Sequence, residues 1–331
     1  MAATVILGLG HALPPRLVTS EELGGTLKVG GGTLEARTGI ARRYYAGVGV
    51  GPSDLALEAS AMALDRAGLS AADVDFLIFA TMTPDMAFPG SGCLLQDKLG
   101  VPPIGALDIR AQCLGFIFGL LIADRFLQTD TYDRVLVAAG EVHSTSLDFS
   151  AGGADVTPYF GDGAAVAVLS TANDGRGLVA GVMHSDATEF ERFWCEYPAS
   201  RQHPVRMTLD DLRKRRHYPQ IDFDALNPMA ERLFPEVITE VLERGGCRKD
   251  EIAHFFLHYV DPRIALGTGR EMGIPHQRVT ATASRAGHIA AAALPIALSE
   301  AWGAGSVRRG DLVCLAAVGA GINWGAAIIR L

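Results

Sequence analysis

Several features that would assign a chain quickly are missing here. The five cysteines stand at 93, 113, 195, 247 and 314, an irregular spacing that gives neither a disulfide framework nor a zinc pattern and points to a reducing cytosol. No apolar run approaches the ~18 residues of a membrane span, and Met1-Ala-Ala-Thr-Val-Ile-Leu-Gly lacks the charged start of a signal peptide. Basic residues are in the minority, and the net charge of −8 argues against a general nucleic-acid binder. No pair of carboxylates stands out for acid–base work, and no His/Asp/Glu cluster has metal-ligand spacing. Gly161-Asp-Gly-Ala-Ala165 lacks the Lys-Ser/Thr of a P-loop and the spacing of a dinucleotide fingerprint, so it reads as a turn shaping a site rather than a nucleotide contact.

What is present is apolar and glycine-rich. A hydrophobic content of 49% over 331 residues supports an extensive core with strands buried on both faces. The most informative feature is Cys113 in Asp108-Ile-Arg-Ala-Gln-Cys-Leu-Gly-Phe-Ile-Phe-Gly, between a strand-like run (Ile104 to Ile109) and an apolar helical run (Cys113 to Ala123). A thiol at a helix N-terminus meets unpaired amides and the positive dipole end, which favour thiolate, the form that acts as a nucleophile. A free cysteine is more often a buried small hydrophobe. Both readings stand on these residues alone.

An internal repeat favours the nucleophile. Asp73-Val-Asp-Phe-Leu-Ile-Phe-Ala-Thr-Met-Thr-Pro84 recurs as Glu251-Ile-Ala-His-Phe-Phe-Leu-His-Tyr-Val-Asp-Pro262, each acidic at its start, apolar in its middle and ended by proline. An amphipathic helix precedes each copy, Asp54 to Ala67 and Met229 to Arg244, and each helix stops at glycine. The Cys113 helix and the strand Arg134 to Gly140 have counterparts in a helix from His288 to Ala301 and the strand Asp311 to Ala317. The chain thus reads as two diverged β/α copies, residues 1–174 carrying Cys113 and residues 175–331 carrying His258 and His288. In this register Cys113 falls opposite His288 and His258 opposite Ala80, at the end of a strand, where α/β sheets bind ligands.

Three further segments carry expectations. Gly319-Ala-Gly321 is a small-residue turn, read either as a plain hairpin or as a backbone amide at Ala320 that joins the Cys113 amide in holding an oxyanion. Between Phe193 and Asn227 lies a polar, aperiodic stretch, too long for an ordinary connection and typical of a lid or binding loop. Its basic cluster, Arg213 to Arg216, is a solvated face of mixed charge or a contact for an acidic carrier.

These residues resemble, over essentially the full length, the β-ketoacyl-acyl carrier protein synthase III group of thiolase-fold condensing enzymes. The likeness runs through Gly8 to Pro14, Arg37-Thr-Gly-Ile40, Ala87-Phe-Pro89, Ala111 to Phe116 and Phe160 to Ala164. It continues through His184-Ser-Asp186, His258 to Ile264, Gly287-His288 and Gly319 to Gly325. The resemblance implies a five-layer αβαβα fold and a cytoplasmic homodimer in which Phe88 reaches toward the partner's acyl pocket. It implies that Cys113 takes an acyl group from coenzyme A or an acyl carrier protein. His258 and His288 then handle a malonyl thioester for decarboxylative condensation, and Arg263 serves carrier-protein docking. No cofactor is implied beyond the phosphopantetheine that carries the substrates, and no nucleic acid or membrane partner.

Three departures mark the chain. Asparagine is usual in the family where His288 stands. The tryptophan and arginine that clamp adenine in the bacterial primary enzymes are replaced by Thr33 and Ala154. The segment from Trp194 to Tyr218 is longer than in the primary enzyme, as in relatives from specialised metabolism. A second reading therefore stands beside condensation: transfer of the Cys113-bound acyl group to a hydroxyl or amine, or condensation without decarboxylation.

Overall fold

Two five-stranded sheets carry the fold, and they share one topology. The computed structural model describes residues 2–201 and 204–331. The first sheet runs Ala3–Ala12, Gly163–Ala172, Val135–Glu141, Phe76–Ala80, Gly105–Ile109 in spatial order. The second runs Gly177–Ser185, Asn323–Arg330, Leu312–Gly319, Ile252–His258, Val279–Ala281 when followed from the equivalent edge. In each sheet the three strands at one end are parallel and the two at the other are antiparallel additions. The central strands Phe76–Ala80, Val135–Glu141 and Leu312–Gly319 are buried along their whole length, which explains their unbroken apolar character.

Helices cover both faces of both sheets. Gly115–Gln128 and Ala293–Gly303 lie between the sheets; Pro52–Ala67 and Ser91–Leu99 cover the outside of one, Phe223–Gly245 and Pro262–Glu271 the outside of the other. The order is helix, sheet, helix, sheet, helix: the five-layer αβαβα arrangement. Close approach demands glycine where the first strand crosses the outer helix, since a methyl at Gly8 would sit 2.0 Å from the Ala63 carbonyl oxygen. Among the described residues no helix is long and apolar enough to cross a membrane.

The duplicated register holds from the strand starts to the site, where the pairing of Cys113 with His288 does not. Asp73 and Glu251 both close 3₁₀ turns with matching capping boxes, as the repeat requires. The buried helix of the second copy, however, starts at Ala293 after a 3₁₀ turn at Ala290–Ala292, not at His288. Gln112 and Ala290 are the matching residues: both have left-handed backbone (φ 45° and 34°), and both enter a 3₁₀ turn that leads into a buried helix. Cys113 therefore registers with Ala291, and His288 with Arg110. The two copies are equally long from Asp73 to Gln112 and from Glu251 to Ala290, so the pairing of Cys113 with His288 fails because the short helix Ala283–Ala286 and His288 precede the 3₁₀ turn and the buried helix starts only after it. The outer helix also begins earlier than Met229, at Phe223, because Asp222 caps it by accepting from the Ala225 amide at 3.1 Å. Pro228 and Pro235 lie inside it.

Candidate active site

Cys113 lies in the 3₁₀ turn Gln112–Leu114, between the strand Gly105–Ile109 and the helix Gly115–Gln128. The left-handed backbone of Gln112 costs about 1–3 kcal/mol and must be held by its surroundings. Asn323 does this: its Nδ2 donates to Gln112 Oε1 at 3.1 Å and to the Ala320 carbonyl at 2.7 Å, tying the Gly319–Gly321 turn of the second copy to the cysteine turn of the first. The approach leaves no room for a side chain at Gly319, where a methyl carbon would stand 2.5 Å from Cys113 Sγ. As a result the backbone amides of Ala320 and of Cys113 itself lie at the sulfur, where they favour its thiolate form. The turn is a hairpin, and it brings the Ala320 amide up to the thiol.

Two imidazoles complete the cluster. His258 ends its strand, and Nδ1 lies 2.6 Å from Thr282 Oγ1, which fixes the ring. His288 is held by its backbone: its N–H donates to the Tyr159 carbonyl at 2.7 Å and its carbonyl accepts from Gly161 N–H at 3.1 Å. The Gly161 turn thus positions a catalytic-site loop, as its sequence suggested. His288 Nε2 is 4.0 Å from Cys113 Sγ, and the two rings stack with centroids 4.9 Å apart and planes 5° from parallel. The sulfur and a nitrogen of each ring lie within 4.8 Å of one another, with residue exposures of 1%, 0% and 0%. Zinc also takes this donor set, but Zn–S and Zn–N bonds of about 2.3 and 2.0 Å put tetrahedral ligand atoms roughly 3.5 Å apart. The observed 4.0 Å gap and parallel rings suit a reacting carbonyl group better than a cation.

Burial sets the charge state. It pushes the Cys113 thiol up to about 12, with the Glu141 carboxylate adding to the shift and the two backbone amides opposing it. The expectation of a thiol lowered by a helix N-terminus is therefore overturned for this closed site: desolvation outweighs the amides. Burial likewise lowers His258 to about 3, and holds His288 well below the usual imidazole value with help from the neighbouring rings. All of these groups are neutral at pH 7.

Sequence reasoning missed two buried residues next to these. Glu141 ends the strand Val135–Glu141 and accepts from the Met82 and Thr83 amides, the Thr83 and Thr81 hydroxyls and the Ala291 amide; burial raises it to about 7. His143 follows two residues later, its ring 5.8 Å from that of His288. The rule that selects His258, the carboxyl end of a strand, also selects both of these.

The remaining candidates are peripheral. Arg263 is half-exposed, 2.9 Å from Asp261 through its Nε, and lies over Gly39 of the Arg37–Ile40 motif. Phe88 is 82% exposed. Thr33 is exposed, while Ala154 is covered and its carbonyl accepts from Arg37. Of the Arg213–Arg216 cluster, Lys214 pairs with Asp210, Arg215 with Asp148 and Arg216 with Asp211, so most of its charge is neutralised within the chain. The long segment contributes at its start: Phe193 packs against His288 at 6.0 Å.

A pH signature follows from the neutral imidazoles. A histidine at 6.5 when unfolded and about 3 when folded takes up its proton only on unfolding, so its contribution is complete above pH 6.5 and is lost as pH falls below it. Glu141, raised on folding, acts in the opposite direction between about pH 4.5 and 7. Urea denaturation at pH 7 and pH 5 measures the sum. His258→Asn is expected to lose about 2 kcal/mol less than the parent between these two pH values. Equal losses in the two proteins would contradict a neutral, buried His258.

Comparison with known proteins places this cluster in a family. Residues 107–187 match the family model described as 3-oxoacyl-[acyl-carrier-protein (ACP)] synthase III, and residues 242–331 match its C-terminal counterpart. The chain is 34% identical to the beta-ketoacyl-[acyl-carrier-protein] synthase III of Methylococcus capsulatus over 98% of both sequences. It is 32% identical to that of Syntrophomonas wolfei over 98% of this chain and 96% of the other. A crystal structure of 3-oxoacyl-[acyl-carrier-protein] synthase III from Aquifex aeolicus superposes with a TM-score of 0.89 at 31% identity, covering 99% of this chain and 100% of that one. With two matched halves and relatives of this identity along its whole length, the chain belongs to the 3-oxoacyl-[acyl-carrier-protein] synthase III family.

Proposed function

We propose that this chain is an acyl-thioester condensing enzyme that forms β-ketoacyl products by decarboxylative condensation with a malonyl thioester. The observation that carries the reading is the convergence of Cys113 Sγ, His258 and His288 beside the Ala320 and Cys113 amides. As the sulfur attacks the donor thioester, its proton passes to His288 Nε2, 4.0 Å away, and on to the departing thiolate, leaving acyl-Cys113. With the Thr282 hydroxyl donating to Nδ1, His258 presents Nε2–H, and that atom has no partner among the described residues. His258 through Nε2–H, and His288 once exchange with water has moved its proton from Nδ1 to Nε2, hydrogen-bond the malonyl thioester carbonyl and stabilise the enolate formed as carbon dioxide leaves. The carbanion attacks acyl-Cys113, the oxyanion rests on the two amides, and collapse releases the Cys113 thiolate, which regains a proton. The thioester supplies the activation, and no resident cofactor takes part.

The carrier and the assembly belong to the same reading. Arg263, beside Arg37 at the rim, docks an acidic acyl carrier protein. Donors on coenzyme A bind weakly, because Thr33 and Ala154 offer no clamp for adenine. Exposed Phe88 is covered by a second copy of the chain, so light scattering is expected to give twice the chain mass.

The test incubates enzyme with acyl thioesters and malonyl carrier protein while following intact mass and carbon dioxide. The parent is expected to gain one acyl mass and release carbon dioxide, and Cys113→Ala to do neither. Arg263→Glu is expected to raise KM for the carrier protein about tenfold while leaving acylation by a small thioester unchanged, as loss of one charge-assisted contact would. Ester or amide products without carbon dioxide would favour acyl transfer instead. No adduct at Cys113 with any donor would contradict both.

A further inference from the structure

A third imidazole lies beside the reacting cluster, and the condensation makes no use of it. His143 begins the 3₁₀ turn His143–Ser146, just past the strand Val135–Glu141, and is only 2% exposed. Its ring lies 5.8 Å from that of His288 and 22° from parallel, and it meets Phe160 edge-on at 5.0 Å. Phe160 and Phe193 pack on His288 at 5.0 and 6.0 Å and on each other at 6.5 Å. His143 therefore forms the polar part of an otherwise aromatic wall on one side of His288. Its Nε2 is buried without a hydrogen-bond partner among the described residues. Burial holds the ring neutral, lowered to about 3, so it carries one donor and one acceptor rather than a charge.

A buried polar atom left unpaired is costly, and an apolar side chain would fill this wall without that cost. The atom gains a partner when the bound substrate brings one. The aromatic wall does not suit the ionised malonyl carboxylate; it suits the donor's acyl chain. We propose that His143 is a specificity-determining residue that selects donor acyl groups bearing an oxygen, hydroxyl or keto, a few carbons beyond the thioester carbonyl. A hydrocarbon chain of the same length leaves Nε2 unpaired, whereas an oxygen-bearing chain satisfies it. Sites built to hydrogen-bond a substrate group reject the analogue lacking that group far more strongly than apolar pockets reject an added methylene.

The selection rests on acylation of Cys113, so the experiment is arranged to separate the two. Initial rates of acyl-enzyme formation are read by intact mass with pantetheine thioesters of butyrate and of its 2-, 3- and 4-hydroxy and 3-oxo derivatives. The parent, His143→Leu and His143→Gln are compared. The parent is expected to acylate at least about tenfold faster with one of the oxygenated donors than with butyryl. His143→Leu is expected to lose that preference while its butyryl rate stays within about twofold or rises, and His143→Gln, which keeps a hydrogen-bonding amide, to retain part of it. A parent without preference, a preference that survives in His143→Leu, or a leucine variant that slows every donor alike would overturn the assignment while leaving the condensing reading intact. If His143→Leu does not fold, the parent and His143→Gln decide: no preference in the parent, or a preference undiminished in the amide variant, overturns it. No adduct with any donor removes the condensing reading and this assignment together.

Discussion

The site depends on how closely two backbone turns approach each other. The hairpin at Gly319–Gly321, from one copy of the duplicated unit, comes so near the cysteine turn of the other that even a methyl group at Gly319 would overlap the sulfur. This contact places the Ala320 amide at the thiol and is locked by Asn323, which bridges Gln112 and Ala320. Neither copy holds the whole site. The first supplies the nucleophile and one amide, the second the other amide and both imidazoles, and the helices buried between the sheets keep the two in register.

The chemistry follows from burial as much as from residue identity. In the closed site the thiol is pushed up to about 12 and His258 down to about 3, so neither the sulfur nor that imidazole is charged. Charge arises only when substrate is in place, where the amides and imidazoles are already oriented toward it; such preorganisation needs no reorganisation at the moment of reaction. Glu141, held near neutrality, has a different part: it gathers Met82, Thr83 and Ala291, joining the segment that leads to Phe88 with the turn that follows His288.

Much of this was legible in the sequence, and the parts that were not have identifiable causes. Cys113 and His258 stood out because the repeat put them at strand ends and helix starts, and those positions survive folding. The pairing of Cys113 with His288 was three residues out, because the apolar run that starts at His288 shows no break where the 3₁₀ turn Ala290–Ala292 gives way to the helix at Ala293. The lowered thiol was misjudged because a helix N-terminus is visible in a sequence while the depth of the site is not. Glu141 and His143 were overlooked although they directly follow a buried strand. A glutamate and a histidine there read as surface residues until the structure shows them covered. The basic cluster from Arg213 to Arg216 reads as a face of mixed charge, and the Lys214–Asp210 pair one helical turn apart agrees with it, whereas Asp148 meets Arg215 only in three dimensions.

The most direct measurement of the central claim is a crystal structure of the chain with an acyl group on Cys113. The account requires the thioester oxygen to lie about 3 Å from both the Cys113 and the Ala320 amide nitrogens, with the two imidazole rings facing the same small space. An oxygen turned away from that amide pair, or a hairpin withdrawn from the sulfur, would contradict it.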